Sequence, residues 1–354
     1  LVPADSAVFT IDQRSGHWWL ITPEGEPFFS LGMNHIDSAT LRTPECLPLW
    51  RERYGNDQRR WLEERVAPDL VDWGFNTVGW TQEVVIRGQA IHRHSRRFTY
   101  EEYQWLGLPY CHMLPFAEIH QWELETRYPD VFSSDFEDWC DYVARDDCAR
   151  MADDPKLVGY FYSDCPTWVH PQVKPCDKGP WFEPVRLESA AGRQKLFEMA
   201  SRYYRVTHDA IRRYDPHHLI LGDRYEAKAR LPDEVLQAAA PFVDVLSFQY
   251  FASESEIAPD FLRWHGLTGL PVLLADACAP EREPARYEPM LRALRELPCC
   301  VGWHLCGAYL RNRTREHGLR NEDESPNQPL IDAVQQANLD TQTWVRASAK
   351  DDGG

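Results

Sequence analysis

Leu157-Val158-Gly159-Tyr160-Phe161-Tyr162 is an unbroken apolar run of strand length, and it ends in Ser163-Asp164-Cys165-Pro166-Thr167-Trp168. A strand without polar alternation is covered on both faces, as in a parallel sheet lying between helices. Its flanks agree: Asp135–Asp153 before it and Ser189–Tyr214 after it carry apolar residues at helical spacing. Working outward, the same unit recurs. Strands are read at Phe28–Met33, Thr77–Trp80, Leu108–Leu114, Leu157–Tyr162, His218–Leu221, Val243–Phe248, Pro271–Ala275 and Cys300–Leu305. Further helices are read at Gln58–Trp73, Asp233–Ala240, Glu283–Glu296 and Pro329–Ala337. Eight strand–helix units imply an α/β fold closed into a (β/α)8 TIM barrel. An N-terminal β-hairpin precedes it, with Val8–Asp12 and His17–Thr22 joined through Gln13–Gly16. Among the long strand-to-helix loops, Thr167–Glu188 is the longest and is rich in proline and aromatic residues. A loop of that length above a barrel is usually functional. Residues 1–346 are expected to form a single catalytic domain and 347–354 a flexible tail.

The chain carries 38 Lys and Arg against 55 Asp and Glu, a net charge of −17. Such a surface repels phosphate backbones and no basic tract offsets it, so nucleic acid is excluded as a partner. No stretch approaches the roughly 18 apolar residues of a membrane span, which argues against a membrane partner. The 14 Trp, 15 Tyr and 15 Phe point to carbohydrate, because flat aromatic faces stack on sugar C–H edges. A large aromatic core is the competing reading. The ten cysteines show neither a CxxC pair nor the spacing of a small disulfide-rich domain. They read as free thiols in a reducing compartment. The opening LVPADSAVFT has no basic or apolar segment of a signal peptide. A cytoplasmic location is therefore expected, with secretion left open if a leader has been removed. Oligomeric state is not legible.

In a parallel barrel the loops after the strands converge on one mouth, and chemistry sits there. Asp164 and Asp276 follow the fourth and seventh strands, on opposite sides of that mouth. Facing carboxylates are what glycosidic cleavage needs: one protonates the leaving oxygen, and the other attacks the anomeric carbon or activates water. The plain reading of a single strand-end Asp is a helix N-cap. Asp276 departs from it by interrupting an apolar run with no helix directly behind, whereas Asp223 reads as a brace paired with Arg224. Asp164, Asp276 and Cys165 are the candidate catalytic residues. Asn34, His35, Trp80, His112, Trp168, Arg224, Tyr250, Trp303 and His304 are the candidate substrate contacts, with Trp181 joining Trp168 in a stacking wall. Arg224 would suit a sugar carboxylate or sulfate. This reading needs no cofactor.

Two rival readings stay open. His35, His112, Asp164, Cys165, Asp276, Cys278 and His304, with Cys111 and Cys306 close by, would hold Zn²⁺ and an activated water if three or four converge. A sugar-binding protein that has lost catalysis would keep only the aromatic cleft.

Three groups of residues carry a resemblance. One is Gly159-Tyr160-Phe161 with Pro166-x-Trp168. Another is Gly16-His17-Trp18-Trp19-Leu20-Ile21-Thr22-Pro23-Glu24-Gly25, running into Phe28-Phe29-Ser30-Leu31-Gly32-Met33-Asn34-His35. The third is Val301-Gly302-Trp303-His304 with Gly318-Leu319 and Leu330-Ile331-Asp332. Together they resemble the β-agarase-type families of the retaining glycoside hydrolase clan built on (β/α)8 barrels. The resemblance covers most of the chain in order and implies a glycosidase acting on a galactan such as agar or porphyran. Those families carry Asn-Glu after strand four, the Glu being the acid/base, where this chain has Asp164-Cys165. They carry a Glu nucleophile after strand seven, where this chain has Asp276. Tyr250 matches the tyrosine that supports the nucleophile. Shortening a facing Glu to Asp withdraws its carboxyl by about 1.5 Å. The expectation is a gap wide enough for water, with Asp164 as acid and Asp276 as base, an arrangement that allows inversion at the anomeric carbon and leaves the stereochemical outcome open. Cys165 is then either a nucleophile, if ionised, or a small residue that makes room for substrate.

Overall fold

The computed structural model describes residues 8–87, 92–117, 129–166, 168–169, 184–229 and 231–351. Its eight central strands are β1 (Ser30–Met33), β2 (Thr77–Val78), β3 (Tyr110–Met113), β4 (Leu157–Asp164), β5 (Leu219–Glu226), β6 (Leu246–Gln249), β7 (Val272–Ala277) and β8 (Cys300–Leu305). Each pairs in parallel with the next, and β8 pairs with β1, so the sheet closes as a barrel. All eight residues of β4 are buried, as its unbroken apolar run requires.

Two apolar layers hold the barrel. Val158, Leu219, Leu221, Val245, Leu273 and Val301 fill its interior, and Phe9 and Leu20 of the N-terminal segment join them. That segment is the expected hairpin, Thr10–Arg14 with His17–Ile21, extended by Pro27–Phe28 into a three-stranded antiparallel sheet. Its two-residue turn places Ser15 and Gly16 in the left-handed region, which matches the twist of the paired strands. The sheet thereby plugs the end of the barrel opposite the mouth. The larger outer layer lies between the strands and the helices.

The helices Ser134–Met151, Ala190–Tyr214, Asp233–Ala239 and Tyr287–Glu296 lie where the periodicity places them. Glu254–Thr268 is an additional helix between β6 and β7, opened by a Ser253/Glu256 capping box. The last helix, Gln328–Asp351, runs through the segment expected to fray from Ala347. Among the described residues no helix is long and apolar enough to cross a membrane. Most of the Thr167–Glu188 loop, including Trp181, lies outside the described residues.

Candidate active site

A bulge in β5 sets the arrangement of the mouth. The pairing of β5 with β4 shifts register on both sides of Gly222, whose φ of +64° is a conformation glycine takes at little cost. A one-residue shift exchanges the faces of everything that follows. Asp223 consequently points out to the helices and Arg224 points into the barrel. The carboxylate of Asp223 accepts hydrogen bonds from the Tyr204 hydroxyl at 2.6 Å, the Tyr203 hydroxyl at 3.2 Å and the Ser163 N–H at 3.1 Å. It is a brace, as expected, but its partners are these groups and not Arg224. Burial outweighs the three hydrogen bonds and pushes its pKa up to about 7. A carboxyl raised in the folded state contributes stability that is full below its unfolded pKa, about 4, and is lost as pH rises through the folded value. Asp223→Asn should therefore shrink the fall in melting temperature between pH 5 and pH 8. An unchanged slope in thermal melts would count against this assignment.

The Arg224 guanidinium is fully buried, with Nη1 3.2 Å from Asp164 Oδ1 and Nη2 3.0 Å from Asp276 Oδ2. One cation therefore joins the two carboxylates singled out in the sequence. Beneath it lies the ring of Trp80, with the guanidinium carbon 4.5 Å from the ring centroid, so Trp80 supports the cation and is itself buried. Asp276 also accepts from Asn34 Nδ2 at 2.7 Å and Gln249 Nε2 at 2.9 Å, and His35 Nε2 lies 3.7 Å away. Burial alone would raise the pKa of Asp276. The Arg224 charge, His35 and Arg315 outweigh burial and hold the carboxylate well below its usual range.

Cys165 follows β4 in a left-handed conformation, φ +46°, pinned by its N–H to the Arg224 carbonyl at 2.8 Å. Its thiol donates to Gln249 Oε1 at 3.3 Å, which leaves the Gln249 amide nitrogen facing Asp276. Burial and the Asp164 charge push the thiol well above its ordinary pKa, so it stays protonated and weakly nucleophilic. The contact that it makes is one that orients Gln249. We expect Cys165→Ser to keep activity within about threefold and Cys165→Ala to lose about tenfold, the value of one hydrogen bond. Complete loss in the serine variant would restore a covalent role for sulfur.

His35 (φ +54°) is held by its N–H to the Trp80 carbonyl at 2.7 Å and by Nδ1 to the Gln82 carbonyl at 2.7 Å. Its Nε2 faces the Arg315 Nη2 at 3.1 Å, and Arg315 is anchored to Glu83 at 2.5 Å. Of the soft ligands gathered from the sequence, His35, Asp276 and Cys306 place their donor atoms within 4.8 Å of one another. That trio already faces two cations, since Arg315 Nη1 lies 3.6 Å from the Cys306 sulfur and Arg224 holds Asp276. The donor set therefore fits a divalent ion poorly.

Several expected substrate contacts point elsewhere, because neighbouring strand residues face opposite sides. Tyr250 turns outward, with its hydroxyl donating to Asp260 at 2.7 Å and its ring packed near Trp264. The preceding residue, Gln249, takes the position expected of Tyr250 against Asp276. His112 reaches Asp147 on the Ser134–Met151 helix at 3.3 Å and the Tyr103 hydroxyl at 3.4 Å. Trp168 packs against Tyr203 and Tyr204, and Trp303 against Tyr287, so all three indoles, Trp80 included, belong to the packed wall. His304 fills the barrel below the mouth, with Nε2 2.8 Å from Ser30 Oγ. Burial and Arg224 lower its pKa to about 3, so it stays neutral. Gly32 leaves it room, since a Cβ there would lie 2.3 Å from the ring.

A cavity of about 230 Å³ opens over this network, lined by His35, Asp164, Gln249, Phe251, Asp276 and Arg315 among others. A second, of about 240 Å³, adjoins it through His35 and Thr314. Gln249 and Arg315 line the first cavity and are site residues that the sequence did not single out. Glu226 is the last residue of β5, two positions beyond Arg224 and in register with Gln249. Burial raises its pKa to about 7, against the Lys228 N–H that its carboxyl accepts, and the Asp164 and Asp276 charges add to the rise.

No known family profile and no curated protein matches the chain. Solved structures do. An agarase, AgWH50C, superposes with a TM-score of 0.72 at 19% identity over 95% of this chain and 63% of its own. An exo-β-agarase gives 0.73 at 16%, over 96% and 66%. A Bacteroides uniformis β-glucuronidase gives 0.60 at 12%, over 93% and 37%. The chain thus spans less than two-thirds of the length of these two agarases. The likeness is one of fold: the barrel superposes on these structures over nearly the whole of this chain.

Proposed function

We propose that the protein is a glycoside hydrolase acting on galactan-type oligo- or polysaccharides, agar and porphyran fragments being the substrates to try first. The observation that carries this reading is Asp276, a buried carboxylate kept ionised at the end of β7 and facing a cavity at the barrel mouth. A fixed negative charge there stabilises an oxocarbenium-like transition state or attacks it. The fold neighbours support the substrate class, since agarases share the architecture over nearly the whole of this chain. In this proposal the Glu of the clan pattern on β4 is replaced by Cys165, and the Glu on β7 by Asp276.

The electrostatics favour a role for Asp276 other than the base read from the sequence. A general base works best with a pKa near the working pH. Asp276 is held far below it, which suits a nucleophile that must later leave. Retention of anomeric configuration is expected. We also propose cytoplasmic action on carbohydrate without nucleic acid or membrane, supported by the free thiols.

The test is the release of reducing ends from agar- and porphyran-derived oligosaccharides, with product configuration followed by NMR. Inversion would return Asp276 to the role of base. Sugar-dependent stabilisation without any release would make the protein a binding module.

A further inference from the structure

We propose that Glu226 is the catalytic proton donor, so that the acid/base stands on the fifth strand of this barrel and not on the fourth. The inference rests on the glycosidase reading and deepens it. Three observations place the residue. First, the Gly222 bulge turns Arg224 inward, and strand alternation then turns Tyr225 outward and Glu226 inward, one layer nearer the C-terminal end of the barrel. The outward course of Tyr225 is visible in its hydroxyl, 2.5 Å from that of Tyr204. Second, Glu226 is paired in register with Gln249, whose side chain holds Asp276. Third, its carboxyl accepts one backbone N–H, from Lys228 at 3.1 Å, and makes no ion pair among the described residues. The rivals are engaged otherwise. Asp164 faces the Arg224 guanidinium, and the Cys165 thiol is committed to Gln249.

The environments of Glu226 and Asp276 push their proton affinities apart, which is the arrangement that separates an acid from a nucleophile. In the first step the Glu226 carboxyl gives its proton to the glycosidic oxygen. The bond from that oxygen to the anomeric carbon breaks, its electron pair leaves on the oxygen, and an Asp276 oxygen bonds to the carbon. In the second step Glu226, now a carboxylate, takes a proton from water. The water oxygen bonds to the anomeric carbon and Asp276 is released.

The test compares Glu226→Gln with Asp164→Asn on aryl β-galactosides of differing leaving group and on agar-derived oligosaccharides. We expect Glu226→Gln to lose about 10²–10⁴-fold on the oligosaccharides and on phenyl galactoside. Bond cleavage with a 2,4-dinitrophenyl group, which leaves without protonation, should fall far less, and azide should restore turnover as the glycosyl azide. Carboxyl ¹³C NMR of the labelled protein gives a second readout. The Glu226 signal should titrate near pH 7 and move to lower pH in Asp276→Asn, where a facing charge is gone. A Glu226→Gln protein as active as wild type, or a leaving-group split in Asp164→Asn instead, overturns the inference and leaves the glycosidase reading standing. A Glu226 midpoint near 4 overturns it as well. A wild-type protein that cleaves none of these substrates overturns the glycosidase reading itself, and this inference with it.

Discussion

Asp276→Asn is expected to lower kcat by at least about 10⁴-fold, the scale on which enzymes lose a reacting nucleophile. The change is nearly isosteric, and what it removes is charge. In the wild type Asp276 accepts from Asn34 and Gln249 through their amides and faces Arg224 through its guanidinium. An amide at position 276 offers one acceptor and brings two N–H groups against donors, so some stability is lost too, on the order of 1–3 kcal/mol. Circular dichroism and melting curves recorded beside the kinetics separate that loss from the chemical one. The pH profile gives a further check. Asp276 has a depressed pKa, so the stability it contributes is complete above about pH 4 and is lost only as pH falls through its low folded value. It should impose no limb on activity near neutrality. The limb expected there is alkaline: Glu226 must carry a proton to donate one, and activity should fall as pH rises through about 7. A variant Asp276→Asn that folds and keeps more than a hundredth of wild-type activity would remove Asp276 from the chemistry.

The barrel was legible because burial on both faces leaves a plain mark in the chain, of which Leu157–Tyr162 is the clearest case. The mouth was legible in part for a related reason. Asn34, His35, Asp164, Arg224 and Asp276 stand at strand ends, and strand ends converge. Side-chain direction was not legible, because it turns on single-residue register. Tyr250 and Gln249 are neighbours, and only the structure shows which of them faces Asp276. Gly222-Asp223-Arg224 reads as the end of a strand, since glycine followed by two charges breaks an apolar run. A bulge carries β5 on to Glu226 instead, which is how Glu226 escaped notice. Glu254–Thr268 was masked by Pro259 inside it. Arg315 lies beyond β8 with no periodicity to mark it, and only the return of that segment over His35 and Glu83 makes it part of the site.

Arg224→Met should cost about 3–5 kcal/mol of stability at pH 8, the range for removing one partner from a buried ionic network. Methionine keeps much of the volume above Trp80, so packing loss is minor and the electrostatic consequence dominates. Asp164 and Asp276, each nearly inaccessible to solvent, would be left facing each other with no cation between them. Burial and mutual repulsion would then raise at least one of the two carboxyls above its unfolded pKa. A raised group gives stability that is complete at low pH and lost as pH rises, so the deficit against wild type should narrow from pH 8 to pH 5. Adding Asp164→Asn removes one of the stranded charges, and the double variant should recover part of the loss, which thermal melts of the four proteins measure as a coupling. Arg224→Lys should fall in between, because an ammonium is a point charge and cannot reach two carboxylates with the two arms of a planar fork. An Arg224→Met protein within about 1 kcal/mol of wild type at pH 8 would mean that the two carboxylates do not share one buried cation. The low proton affinity of Asp276 would then lose its main cause, and with it the separation between Asp276 and Glu226 on which a division into nucleophile and acid depends.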